Sequence, residues 1–201
     1  WSKNFFVNYG ALIPRPETEL MVEAILKIYK NKRPFILDIG TGSGCIILSL
    51  LAEIKNSKGI GIDVSLKATK ISKKNSEILG LKHKVKFYKK SYEQIKNRKF
   101  DLIVSNPPYV KKIDLKNLEE DIKKFEPKIA LDGGNDGLDV IKKIIYKSKS
   151  ILKQKGMLAL EIGNGQYKKV SKILKKNNFR AKYLIKDYRE NVRIVLSILE
   201  F

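Results

Sequence analysis

The sequence predicts an α/β domain built on a doubly wound, mostly parallel sheet of seven strands. Three observations carry that expectation. Short apolar strand patterns alternate with helical patterns along the chain, the connections between most strands are long enough for crossover helices, and glycine-rich punctuation follows the first strand. With 201 residues, 43% of them apolar, the chain supports one substantial core and is too short for a second full domain.

Residues 1–30 precede the first strand and are expected to form an N-terminal segment with a helix from Glu17, carrying Leu20, Met21, Ala24, Ile25 and Ile28 on one face. Residues 31–201 are expected to form the domain itself. Its first strand is Pro34 to Ile39, followed by a glycine-rich turn and an apolar helix from Cys45 to Ile54. Gly59 to Asp63 is the second strand. The helix after it, Leu66 to Leu79, should turn Ala68, Ile71, Ile78 and Leu79 to the core. Val85 to Tyr88 and Phe100 to Ser105 are the third and fourth strands, and a long irregular stretch then runs through Asn135. A helix from Leu138 to Leu152, a fifth strand from Gly156 to Glu161 and a helix from Gln166 to Lys176 follow. Strands near Ala181 to Ile185 and Val192 to Ile198 close the chain. No repeat or linker interrupts this order.

Charge and cysteine content narrow the setting. The longest apolar runs, such as Ile46 to Ala52, fall far short of the roughly 20 residues that cross a bilayer, and no charged-then-apolar leader opens the chain. A soluble protein is expected. One cysteine, Cys45, excludes an internal disulfide and favours a reducing compartment, the cytoplasm or an organellar matrix. Cys45 is expected on a buried helical face rather than as a nucleophile. Lys and Arg total 42 against 21 Asp and Glu, a net charge of +21. Six of those 42 are arginines and the lysines are spread over nearly every expected helix. That dispersal suits solvated surfaces better than a nucleic-acid site, which favours bidentate arginine, although a basic surface would still steer the protein toward an acidic partner.

Two motifs carry chemistry. Asp38-Ile39-Gly40-Thr41-Gly42-Ser43-Gly44 joins the first strand to its helix, with glycines where a ligand must approach the backbone. A dinucleotide site would read GxGxxG and cradle a pyrophosphate. Here the third glycine comes one residue early and a carboxylate precedes the loop, which suits a cationic, amino-acid-bearing nucleoside and points to S-adenosylmethionine; a plain tight turn is the alternative. Asp63 ends the second strand 19 positions after Gly44, where an acid can accept both ribose hydroxyls.

The second motif is Ser105-Asn106-Pro107-Pro108-Tyr109, a core strand running into a turn that can continue neither strand nor helix. In a doubly wound sheet the ends of the first and fourth strands lie side by side, so both motifs should face one crevice. The Asn106 Oδ1 and the Pro107 carbonyl can accept both hydrogens of a planar NH2 group, leaving its nitrogen lone pair free to face an electrophile. Two prolines stiffen the turn, and Tyr109 offers a flat aromatic wall. The implied reaction is in-line methyl transfer from a sulfonium to an amide or aromatic amine nitrogen. No metal and no strong base is called for, and His83, the sole histidine, is expected at the surface of a Lys-rich loop. An ordinary turn after a strand is the alternative.

Taken together these strings resemble the peptide chain release factor glutamine N5-methyltransferases, a family of class I S-adenosylmethionine-dependent enzymes. The resemblance covers essentially the whole chain. Its markers are LIPRPETE (Leu12 to Glu19), DIGTGSG (Asp38 to Gly44), GIDVS (Gly61 to Ser65), SNPPYV (Ser105 to Val110), FEPKIALDGGNDGLDVI (Phe125 to Ile141) and LALEIGNGQ (Leu158 to Gln166). It implies a Rossmann-like methyltransferase sheet with a short N-terminal extension. It further implies that Gly40, Thr41, Gly42, Ser43, Gly44 and Asp63 hold the cofactor. Asn106, Pro107, Pro108 and Tyr109 would bind the substrate glutamine, with Asn106 also near the cofactor. Asn106, Pro107 and Tyr109 would carry the catalytic role. Tyr92 falls where the family has a Trp beside the adenine, and Arg15 to Glu19 would shape the substrate side.

Three departures from the family pattern stand out. Ser91 replaces the acid or amide before that aromatic. Glu190 and Val192 occupy the Gly and Asp positions of a closing DxxGxDRxV segment, while Asp187, Arg193 and Val195 match it. Family members also carry an N-terminal helical domain that contacts the release factor, whereas about 30 residues precede the first strand here, so a fragment or a reduced form is expected. Two other readings stay open at this stage. One is an exocyclic adenine amine methyltransferase acting on DNA or RNA, suggested by NPPY and the charge. The other is a cofactor-binding scaffold without catalysis, which an intact NPPY argues against.

Overall fold

Near-continuous burial along the central strands decides the architecture. The structure, a computed structural model, describes residues 3–7, 15–97 and 99–200, and for Phe125 the backbone alone. Leu12, Ile13 and Pro14 of the LIPRPETE string therefore lie outside the described residues. The strands are β1 (Phe35–Ile39), β2 (Lys58–Asp63), β3 (Val85–Lys89), β4 (Phe100–Ser105), β5 (Leu152–Glu161), β6 (Phe179–Lys186) and β7 (Val192–Leu199). They form one sheet in the order β3-β2-β1-β4-β5-β7-β6. The pairs from β3 to β5 are all parallel, and β7 runs antiparallel to both β5 and β6. This is the doubly wound sheet that the sequence predicts, with its order reversing between β1 and β4.

Helices cover both faces, so the central strands are apolar on both sides. Ile36, Leu102, Val104, Ala159 and Leu196 join one core cluster with α1 (Pro16–Tyr29) and α2 (Cys45–Glu53). Their alternate neighbours Leu37, Ile103, Leu158, Leu160 and Val195 join the other, with α5 (Asp139–Ile151) and α6 (Tyr167–Lys176). α1 starts at Pro16, where a missing N–H costs nothing, and carries Glu17 and Glu19 in its first turn, where the helix dipole favours acids. It buries Met21, Val22, Ile25, Leu26 and Tyr29 in the same core as the sheet.

Several elements differ from the sequence expectation. The irregular stretch after Val110 contains 3-10 turns at Lys112–Asn117 and Lys128–Ala130 and a short helix α4 (Glu120–Phe125); each is too short to impose a periodic apolar pattern. Ile78 is 53% exposed instead of packed in the core. At about 100° per residue, the buried arc of α3 (Leu66–Ile78) centres on Ser72, Asn75 and Ser76, which leaves Ile78 on its flank. A polar buried face misleads a reading based on apolar spacing. The reason for that face is Asn75, fully buried, whose Nδ2 donates to the Ser43 carbonyl at 2.8 Å and to the Phe6 carbonyl at 2.9 Å, while its Oδ1 accepts from the Phe6 amide. His83 is exposed, as expected. Among the described residues no helix is long and apolar enough to cross a membrane.

Candidate active site

Register places the glycine loop and the NPPY turn at one edge of the sheet. Asp38 pairs with Gly61 on β2 and with Val104 on β4, so the residues that follow each strand emerge together. The Gly40 and Thr41 amides both donate to the Ile62 carbonyl at 2.9 Å, and Gly40, Gly42 and Gly44 have φ of 71°, 55° and 83°. These left-handed conformations explain why the loop needs its glycines. The Gly42 amide donates to Asp63 Oδ2 at 3.0 Å and the Ser65 amide to Asp63 Oδ1 at 2.8 Å. Asp63 is thus a brace for the loop as well as an acceptor at the rim. Burial raises its carboxyl, and the amides of Ser65, Gly42 and Val64 oppose that shift.

Between these elements lies a cavity of about 300 Å³ whose walls include Gly40, Thr41, Gly42, Ser43, Asp63, Tyr92, Asn106, Pro107 and Pro108. Ile39, Ile46, Ile62 and Ile144 make much of the wall apolar, as small-molecule sites are. Asp38, Gly44 and Tyr109 stand outside this lining, and of Arg15 to Glu19 only Thr18 belongs to it. Asp38 is buried beneath the loop, where its Oδ2 accepts from the Thr41 hydroxyl at 2.7 Å. Burial pushes its carboxyl up to about 7, with Thr41 pulling it down and Asp63 adding to the rise. Gly44 caps α2, and a Cβ there would sit 3.0 Å from Leu48 and 3.1 Å from Ser72. Tyr109 follows Pro108 in the chain and is not part of this lining. Its hydroxyl accepts from Arg193 at 3.0 Å and donates to Glu161 at 3.4 Å, and those two partners anchor it. Cys45 does line the cavity at the start of α2, but burial pushes its thiol up to about 12, leaving it neutral and unreactive.

The NPPY turn is buttressed from behind by the two other marker strings. The Val110 amide donates to the Leu131 carbonyl at 3.0 Å and the Gly133 amide to the Val110 carbonyl at 2.8 Å. Gln166 Nε2 donates to the carbonyls of Tyr109 and Gly137 at 3.0 and 3.1 Å. A third set of contacts was not legible in the sequence. Glu161, at the end of β5 and 0% exposed, accepts from the Thr18 hydroxyl at 3.0 Å, and Asn106 Nδ2 reaches Thr18 Oγ1 at 3.5 Å. The Arg193 guanidinium lies 3.8 Å from Glu161 Oε1. Burial raises the Glu161 carboxyl, while Thr18, Arg193 and Tyr109 favour its charged form. Nearer the rim, Arg15 pairs with the buried Glu126 carboxylate at 2.7 Å and ties the start of α1 to the Pro127–Ala130 wall. The one available signal for Glu161 was an acid closing an apolar strand at the same sheet edge as Asp38 and Asp63.

The chain matches the family model for the methyltransferase small domain over residues 16–124. It is 40% identical over 201 residues to the release factor glutamine methyltransferase of Clostridium acetobutylicum, covering 97% of this chain and 70% of that protein. It is 45% identical over 198 residues to the enzyme of the same name from Buchnera aphidicola subsp. Schizaphis graminum, covering 98% and 71%. The chain belongs to the release factor glutamine methyltransferase family. It also spans 55% of the length of the relative of the same name from Fusobacterium nucleatum subsp. nucleatum, at 41% identity over 196 residues. Among solved structures, the hMettl16 catalytic domain in complex with the MAT2A 3'UTR hairpin 1 superposes with a TM-score of 0.77 at 18% identity, over 98% of this chain and 74% of that one. At that identity the likeness concerns the fold.

The cofactor of this glutamine methyltransferase family is S-adenosylmethionine, and the residues present suit it. A Cβ on Gly40 would meet no protein atom within 4 Å, so the loop presents bare backbone to the cavity. Asp63 and Tyr92 offer an acceptor for a ribose and a ring for a base in the same cavity wall.

Proposed function

We propose that this chain methylates the side-chain amide nitrogen of the glutamine in the GGQ tripeptide of peptide chain release factors. The observation that carries this reading is the Asn106–Pro107 turn facing the glycine loop across one cavity, in a chain of this family. In this reading residues 31–201 form the transfer domain and residues 1–30 lead into it. Gly40, Thr41, Gly42 and Ser43 cradle the cofactor, Asp63 takes its ribose hydroxyls and Tyr92 packs against its adenine. The bound cofactor supplies an electrophilic methyl group on a sulfonium.

An amide nitrogen is a poor nucleophile because its lone pair is delocalised. Asn106 Oδ1 and the Pro107 carbonyl would accept its two hydrogens and stabilise the positive charge that grows on nitrogen during attack. Holding the NH2 plane also aligns the nitrogen for in-line transfer, which removes part of the entropic barrier. Pro107 and Pro108 keep those acceptors fixed, and the Leu131–Gly133 and Gln166 contacts keep the turn against the sheet. Tyr109 serves by anchoring the turn to Glu161 and Arg193.

The test is incubation with labelled methyl donor and a release factor, its Gln→Ala variant, or adenine-containing nucleic acid. Label that depends on the glutamine is expected. Label on the nucleic acid alone would replace this reading with amine methylation of adenine.

A further inference from the structure

Thr18, on α1, lines the cavity beside Asn106, and Glu161, at the end of β5, lies behind it; both are buried. Glu161 uses both oxygens: Oε2 accepts from the Thr18 hydroxyl at 3.0 Å and Oε1 from the Tyr109 hydroxyl at 3.4 Å. An ionised carboxylate accepts and cannot donate, and a threonine hydroxyl has one proton. Once that proton is committed to Glu161, the Thr18 oxygen can only accept from its other neighbour. That neighbour is Asn106, whose Nδ2 lies 3.5 Å away. The opposite face of the Asn106 amide would place its carbonyl against a lone pair of Thr18 and is disfavoured by repulsion.

We infer that Thr18 and Glu161 are positioning residues that set the polarity of Asn106, so that its carbonyl oxygen and not its NH2 is offered to the substrate. At 3.5 Å the Asn106–Thr18 bond is long. It selects an orientation rather than clamping one. The inference rests on the glutamine-methylation reading and sharpens its specificity. With Oδ1 outward the site demands hydrogens on the reacting group and repels a carboxylate of the same shape. With the amide reversed, its NH2 would instead welcome a glutamate. Arg193, donating to Tyr109 at 3.0 Å and lying 3.8 Å from Glu161, keeps the charge that sets the direction of the chain.

Thr18→Val keeps the shape of the side chain and removes the hydroxyl, and Thr18→Ser restores it. Three quantities are measured in each: kcat on a release factor, inhibition by the Gln→Glu release factor, and cofactor affinity by calorimetry. The expected result for Thr18→Val is a kcat lowered roughly 10- to 100-fold, tighter inhibition by the glutamate variant, and cofactor affinity within twofold of the parent. Thr18→Ser should recover most of kcat and the parent's weak inhibition. A Thr18→Val enzyme matching the parent in both kcat and inhibition overturns the inference, as does one whose loss of cofactor affinity accounts for its loss of turnover, since Thr18 would then act on the cofactor and not through Asn106. Glu161→Gln gives a second reading from the far end of the chain, because a side-chain amide there can donate to Thr18; the same rise in inhibition is expected. Failure of the parent enzyme itself to methylate the release factor would strike the functional reading instead, so the two failures are distinguishable.

Discussion

Gly42 and Asp63 are joined by a hydrogen bond of 3.0 Å from the loop amide to Oδ2, so the acid at the end of β2 shapes the loop at the end of β1. The two motifs are one unit. Asp63→Ala should therefore do more than delete an acceptor at the ribose: the Gly42 and Ser65 amides lose their partner as well. Calorimetric titration should show cofactor affinity reduced by about 2–3 kcal/mol, the loss expected for hydrogen bonds to a charged group. Asp63→Asn, which keeps one oxygen acceptor, should lose less.

Asp38 gives a pH dependence whose sign can be worked out. Its carboxyl stands at about 7 in the folded protein against 3.8 in a free side chain. The native state therefore holds the proton more tightly than the unfolded chain, and this contribution to stability is complete below pH 4. It declines as pH rises toward about 7 and is constant above, with a slope of at most about 1.4 kcal/mol per pH unit. In Asp38→Asn that decline should be missing. Urea denaturation of parent and variant from pH 4 to 7.5 should show the variant gaining relative stability as pH rises, and parallel curves would contradict the assignment.

Gly133 lets the ALDGG string lie flat against the NPPY turn. A Cβ there would come within 2.8 Å of Tyr109 Cα and 2.9 Å of the Pro108 and Gly137 carbonyl oxygens, all of them backbone. Gly133→Ala should cost about 1–3 kcal/mol of stability. It should also lower kcat by displacing the turn, with cofactor affinity preserved. Denaturation, turnover and calorimetry on one preparation would check all three.

Glu190 is the departure from the family pattern with a visible structural cost. Its φ is 61°, a left-handed conformation that a side chain disfavours, at the position where the resemblance places Gly. Glu190→Gly should raise stability by about 0.5–1 kcal/mol, the relief of about 1–2 kcal/mol of left-handed strain less the backbone entropy that glycine loses on folding. A few degrees in the thermal midpoint would register it. The exposed pair with Lys186 that is lost contributes little.

The legible parts of this protein were those written in neighbouring residues. Strand and helix patterns placed all seven strands within a few residues, because the central strands sit between two helical layers and read as apolar runs, while the edge strands β3 and β6 mix apolar and exposed residues. The glycine loop and NPPY were legible because they depend on local backbone geometry. The polar interior was not. Asn75 is buried to hold Ser43 and Phe6, and by taking the inward face of α3 it leaves Ile78 outside. Nothing in the helical spacing announces this.

By itself the sequence determined the sheet, its crossovers and which two loops meet at the switch point, since periodicity and chain handedness leave few alternatives. The tertiary structure alone decided how those loops are held. Thr18 and Glu161 are 143 positions apart, and Arg193 and Tyr109 are 84 apart. The Tyr109 hydroxyl is held between Glu161 and Arg193. A buried polar side chain is stable wherever a partner completes its hydrogen bonds, and the choice of that partner is made by packing between distant elements.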